Sequence, residues 1–131
     1  MLKAAGAKRA LPLPVSAPFH SSLLQPASEK LKTYLESIEF HAPCIPVINN
    51  VDVSVLDNPA AIKDALVRQA AKPVRWQETI KAISARGIKQ VVECGPGKVL
   101  AGLTKRIDDQ LQGLAITDEA SLMDALAQLK S

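Results

Sequence analysis

The groups in this 131-residue chain that could move protons or attack a carbonyl carbon are two histidines, nine serines and two cysteines. Histidine is the natural proton shuttle among them, because an imidazole ordinarily titrates near a pKa of about 6.5 and can take and return a proton at neutral pH. His20 lies within PVSAPFHSSLLQP, residues 14–26. Pro12, Pro14 and Pro18 remove backbone donors and push the residues before them toward extended geometry, so the chain reaches His20 as a stiff loop. Ser21 or Ser22 then offers an N-cap, and Leu23, Leu24, Ala27, Leu31, Leu35 and Ile38 recur at helical spacing. A ring on a loop, steadied by a packed helix, is placed as catalytic groups commonly are. The same spacing suits a solvated or hydrogen-bonded bystander. His41, in EFHAPC ahead of an expected strand, reads as structural or exposed.

The remaining reactive groups point elsewhere. Cys44 and Cys94 form no CxxC pair and have no histidine cluster of zinc spacing near them, so each is expected to be a small buried hydrophobe in a reducing cytosol. Gly95-Pro96-Gly97 ahead of a helix suggests an anion site, since amide N–H groups at a helix start favour phosphate. GPGK lacks the length and the closing Ser or Thr of a Walker motif, however, so a structural turn is preferred over a small nucleotide-binding domain. Lys98, Lys105 and Arg106, with Arg68, Lys72 and Arg75, read either as a basic rim for an acidic partner or as a solvated face.

Composition narrows the class. At 47% hydrophobic and 22% charged the chain is an ordinary globular sequence of one-domain size. With 3% aromatic residues its core must come from Ala, Val, Ile and Leu, with Trp76 as the large anchor, and base-stacking platforms for nucleic acid are lacking. A net charge of +3 permits an acidic partner without demanding one. No apolar run approaches the roughly 18 to 20 residues of a membrane span, and no signal-peptide core opens the chain, so the cytoplasm is the expected location.

The elements that must position His20 follow from punctuation and periodicity. Residues 2–6 read as a helix end closed by Gly6, residues 7–13 as a proline-interrupted strand, residues 21–38 as a helix, and residues 44–49 (CIPVIN) as a strand. Asp57 or Asn58 caps a helix whose first residue is Pro59. A break at Lys72-Pro73 separates it from a helix over residues 76–86, with Gly87 as the stop. Strands over residues 88–93 and 114–117 alternate with helices over 98–107 and 121–129, which argues for an α/β layered sheet.

SAPFH followed by SSLLQPASEKL, then APCIPVINNVDV, DALVRQAAKPVRWQETI and VECGPGKVLAGLTKRI, resembles the C-terminal part of the bacterial malonyl-CoA:acyl carrier protein transacylases, with the motifs in the family's order. The resemblance implies that residues 16–131 are the C-terminal part of an α/β-hydrolase-like acyltransferase core around a short parallel sheet. Residues 1–15 would end a ferredoxin-like small subdomain. It implies transfer of a malonyl group from malonyl-CoA to the phosphopantetheine thiol of acyl carrier protein in fatty acid biosynthesis, through a covalent malonyl-serine and without cofactor or metal. That serine belongs to a Gly-His-Ser-x-Gly elbow, and no serine here has glycine two positions to either side. The nucleophile, the malonate-gripping arginine and the oxyanion-hole residues are therefore expected in an upstream half, and this chain alone is expected to be inactive.

Carried over residue by residue, His20 matches the family's catalytic histidine. Gln69, at the end of DALVRQ, matches the residue whose backbone carbonyl accepts the other ring N–H in place of a triad carboxylate. On its own residues Gln69 reads as an exposed polar C-cap. Phe19 matches the malonyl-selecting pattern, its ring filling the space an α-methyl group would need; on its own it reads as a core residue wedging the loop. The alternative function is a non-catalytic α/β module that binds acyl carrier protein through the basic face.

Overall fold

Asn58 and Pro59 start a helix for clear local reasons. In the computed structural model, which describes residues 4–11 and 15–129, the Asn58 side chain accepts hydrogen bonds from the amides of Ala60 at 2.9 Å and Ala61 at 3.2 Å. Two donors that a helix start leaves orphaned are thereby satisfied, while Pro59 needs no partner. This is α2, Pro59–Ala71, and it packs against α1, Gln25–Glu36. Helix α3, Trp76–Ser84, follows after the proline corner. The rest of the chain alternates strand and helix: β1 (Gln90–Cys94), α4 (Val99–Ile107), β2 (Gln112–Ile116) and α5 (Glu119–Leu129).

The two strands pair in parallel, with Val92 opposite Leu114, and α4 makes the crossover between them. Helix α4 and strand β2 pack tightly at Gly113, where an added Cβ would lie 2.4 Å from the Ala101 carbonyl oxygen. Glu93 ties the same unit together from β1: its carboxylate accepts the Ala101 amide at 2.9 Å, at the start of α4. Fully buried side chains are few. Ile80 and Thr104 have no exposure, and Leu35, Ala65, Ala71, Leu111 and Ala125 complete the buried apolar set among the described residues. A compact monomer of 14.0 kDa exposes about 6,700 Å², whereas this chain exposes 9789 Å². Large apolar side chains account for part of the excess, among them Ile45 at 76%, Leu23 at 73% and Val99 at 69%.

Several expected elements differ. The helix expected over residues 21–38 is a short 3-10 turn, Ser22–Leu24, followed by α1, and neither Ser21 nor Ser22 caps it. Pro26 in the first turn of α1 takes over the start. Residues 44–49 form no strand; Ile48 makes one isolated antiparallel bridge to Val55. Pro43 and Pro46 withhold donors, and among the described residues no neighbouring strand offers an edge. Residues 7–11 are irregular for the second of these reasons, and residues 12–14 and the first three residues lie outside the described residues. Cys44 and Cys94, expected to be buried, are both exposed free thiols in this chain.

Candidate functional site

His20 occupies a conformation that a histidine rarely takes. Its φ is 56°, in the left-handed region, at the end of the loop that Pro18 stiffens. Ser21 supports the turn by donating its hydroxyl to the Pro18 carbonyl at 2.8 Å, and the Leu24 amide donates back to the Ser21 carbonyl at 3.0 Å. The loop is thus closed on itself before α1 begins. A non-glycine residue in this region carries strain that the surroundings must hold, and such residues gather at functional sites.

The imidazole reaches across to α2. Its Nδ1 lies 2.9 Å from the backbone carbonyl oxygen of Gln69, a contact between residues far apart in sequence. A carbonyl only accepts, so the ring donates through Nδ1–H, and the proton on Nδ1 leaves Nε2 with its lone pair. The carbonyl is free to accept because of Pro73. In a continuing helix the residue at 73 would donate its amide to the Gln69 oxygen, but proline has no N–H and its ring ends the helix at Ala71. The last turn of α2 therefore directs an unused acceptor, at the negative end of the helix dipole, toward the histidine.

Further hydrogen bonds fix that turn. The buried Ser28 hydroxyl on α1 donates to the Val67 carbonyl at 2.5 Å. On another side, Arg68 grips Asp52 with both Nη atoms at 2.7 Å, while its Nε holds Asp64 at 2.7 Å. Asp52 belongs to a turn over residues 49–54 in which Val53 also has a positive φ, 58°. Asn49 stitches this turn by accepting the Asp52 amide at 2.8 Å and donating to the Ser54 carbonyl at 2.8 Å. The turn in turn holds α3: the Arg75 amide donates to the Asn50 carbonyl, and the Thr79 hydroxyl to the Asn50 side chain, each at 3.0 Å. Hydrogen bonding from Arg68 holds the Asp52 carboxyl below the usual carboxylate range, and the Asp52 and Asp64 carboxylates push the guanidinium pKa further upward.

The structure brings His20 and Gln69 together and leaves other expected groups apart. Phe19 stands beside His20 in sequence and is 62% exposed as a residue, so it does not wedge the loop in this chain. His41 is exposed, 3.8 Å from the Glu39 carboxylate. Of the six basic residues expected as a rim, Arg68 is engaged by Asp52 and Asp64, and Arg75 by Glu78. Lys98 and Lys105 flank a shallow groove over Gly102 and Gly113. The GPG segment is a turn, with Gly95 and Gly97 both at positive φ and the Gly95 amide bonded to the Ile116 carbonyl at 3.2 Å. A cleft of about 390 Å³, with Phe40, Leu56, Ile62 and Leu66 in its lining, includes Gln69 but not His20. Among the described residues no group of three or more His, Cys, Asp or Glu could hold a metal ion, and no helix is long and apolar enough to cross a membrane.

Residue-level reading of the sequence did not find the Ser28–Val67 bond or the Arg68–Asp52 bracket. Neither has a local signature, because the partners come from different elements. The free carbonyl did have one: a proline placed so that Gln69 loses its helical donor.

No family model matches the chain. Relatives with established names do. The malonyl CoA-acyl carrier protein transacylase of Salmonella typhimurium is 55% identical over 126 residues, which is 96% of this chain and 41% of that protein. The crystal structure of an acyl-carrier-protein S-malonyltransferase from Burkholderia pseudomallei is 65% identical, with a TM-score of 0.89 over 95% of this chain and 41% of the other. A malonyl-transacylase in complex with its type II PKS acyl-carrier protein is 55% identical with a TM-score of 0.91, over 96% of this chain and 41% of the other. The chain thus spans about 41% of the length of the relatives it matches.

Proposed function

The chain belongs to the malonyl CoA-acyl carrier protein transacylase family, and from that premise we propose that it supplies the general base for malonyl transfer from malonyl-CoA to the phosphopantetheine thiol of acyl carrier protein, in cytoplasmic fatty acid biosynthesis. The observation that carries this reading is the contact of 2.9 Å between His20 Nδ1 and the Gln69 carbonyl. It selects the tautomer whose Nε2 can accept a proton, as a carboxylate does in a triad.

The nucleophile is a serine hydroxyl from the upstream part of the protein. Nε2 takes its proton as the oxygen attacks the malonyl thioester carbonyl, and the resulting imidazolium gives that proton to the departing CoA sulfur. In the second half the carrier's thiol attacks the malonyl ester, Nε2 accepts the thiol proton, and the serine oxygen recovers it. No proton is gained or lost over the cycle. Throughout, the Gln69 carbonyl keeps the ring oriented and stabilises the imidazolium that forms twice. The surface of 9789 Å², far above that of a compact monomer, supports an upstream half packed against this one. Lys98, Lys105 and Arg106, exposed near α4, are the side chains we assign to the acidic carrier.

In a full-length transacylase whose corresponding portion is this sequence, His20→Ala lowers kcat/KM for malonyl transfer on the order of a thousandfold. A variant that keeps its rate overturns the reading. Phe19 forms one wall of the acyl pocket once that half is present, and Phe19→Ser raises kcat/KM for methylmalonyl relative to malonyl. One methyl group limits the change to about 10- to 200-fold, and an unchanged ratio removes Phe19 from the pocket.

A further inference from the structure

We infer that Arg68 and Asp52 form a positioning bracket for the base: their paired hydrogen bonds fix the last turn of α2 so that the Gln69 carbonyl meets His20 at the correct angle. This inference rests on the reading of His20 as the base.

The geometry is specific. Arg68 immediately precedes Gln69, and its guanidinium presents two parallel N–H groups to the two oxygens of Asp52, both at 2.7 Å. Such a fork fixes direction as well as distance, unlike the single bond a lysine would make. Asp52 cannot drift, because it sits in a turn closed by Asn49 and anchored to α3 through Asn50. The other ion pair of Arg68, to Asp64, lies one turn back on the same helix and cannot fix that helix relative to anything else. The two carboxylates on one guanidinium are therefore unequal: Asp52 joins two elements, and Asp64 only orients the side chain. With Pro73 denying Gln69 its helical donor, no amide among the described residues beyond the helix end holds the carbonyl, and the bracket takes over that task.

The test uses the same full-length transacylase, labelled with 15N at histidine. Arg68→Met and the isosteric Asp52→Asn each lower kcat by about tenfold to a hundredfold, as expected for a misaligned catalytic group, with KM nearly unchanged. Asp64→Asn leaves both constants close to wild type. Removing a positive and a negative charge would push a pure field effect in opposite directions, whereas misalignment slows both variants. The double variant is no slower than the worse single one. The His20 nitrogen shifts, fixed in the wild type by Nδ1 protonation, move toward a mixture of tautomers in both bracket variants.

Opposite changes in rate would replace the bracket by electrostatics. A lower Tm with unaltered kcat and unaltered nitrogen shifts would reduce it to a stabilising ion pair. Retained activity in His20→Ala, by contrast, overturns the assignment of the base itself, and the nitrogen spectra then still decide whether the bracket orients the ring.

Discussion

The two halves of the chain hold themselves together differently. From His20 to Thr79 the decisive contacts are directed polar bonds between residues distant in sequence: His20 to Gln69, Ser28 to Val67, the paired bonds of Arg68 to Asp52, and Thr79 to Asn50. From Gln90 onward the fold is a parallel strand pair with its crossover helix, held by a regular ladder and by close backbone packing at Gly113. Directional bonds fix where an atom points, and a ladder with packing fixes where an element lies. Proton transfer needs the first, and His20, the base we propose, sits in the half built that way.

The contrast can be broken at one residue on each side. The largest effect is expected in the sheet half, where Gly113→Ala forces a methyl group against the Ala101 carbonyl and must move α4 or β2. Overpacking of this kind costs about 1 to 3 kcal/mol, read by chemical denaturation of the full-length protein, and a loss of stability without loss of kcat in the folded fraction would locate the damage away from His20. Next comes Ser28→Ala, which removes a buried hydroxyl from the Val67 carbonyl. The cost is about 1 kcal/mol, but here kcat falls as well, because the same carbonyls belong to the turn that carries Gln69. Stability lost with kcat intact would show that the polar half does not aim the ring through α1.

The smallest effect sharpens the comparison by pH. Asp52 titrates below an ordinary carboxylate because Arg68 bonds its charged form. Its stabilisation is therefore complete above the unfolded pKa of about 4 and disappears as the pH falls through the lower folded value. Tm measured against pH should separate wild type from Asp52→Asn at neutral pH and bring the two together in acid. Curves that stay parallel would deny the linkage. The effect is small because both side chains are about one-third exposed, at 34% and 36%, and so partly screened.

What the sequence revealed follows the same division. The start of α2 was legible because Asn58 and Pro59 act within one turn of chain, and the strand–helix–strand alternation because its apolar runs flank a helix of the right period; that the strands pair in parallel was implied by the resemblance. Residues 44–49 misled, since β-branched residues suggest a strand while pairing depends on a neighbour that the local sequence does not contain. The catalytic readings of His20 and Gln69 came through the resemblance; spacing alone favoured a bystander and an exposed C-cap. The Arg68–Asp52 bracket was hidden because charged residues on a helix look alike until the fold shows which of them meets another element.

The acceptor for the ring belongs to the final turn of a helix, and this gives heat an early target. Helix ends open at far lower free energy than the interiors they adjoin. Were α2 to lose its last turn despite the Ser28 and Arg68 bonds, the imidazole could shift its proton between nitrogens, and on the proposed reading the chemistry would stop while most backbone structure survives. On the proposed assignment of His20 as the base, the full-length enzyme would lose activity on warming before it melts, its working ceiling set by one corner of the molecule.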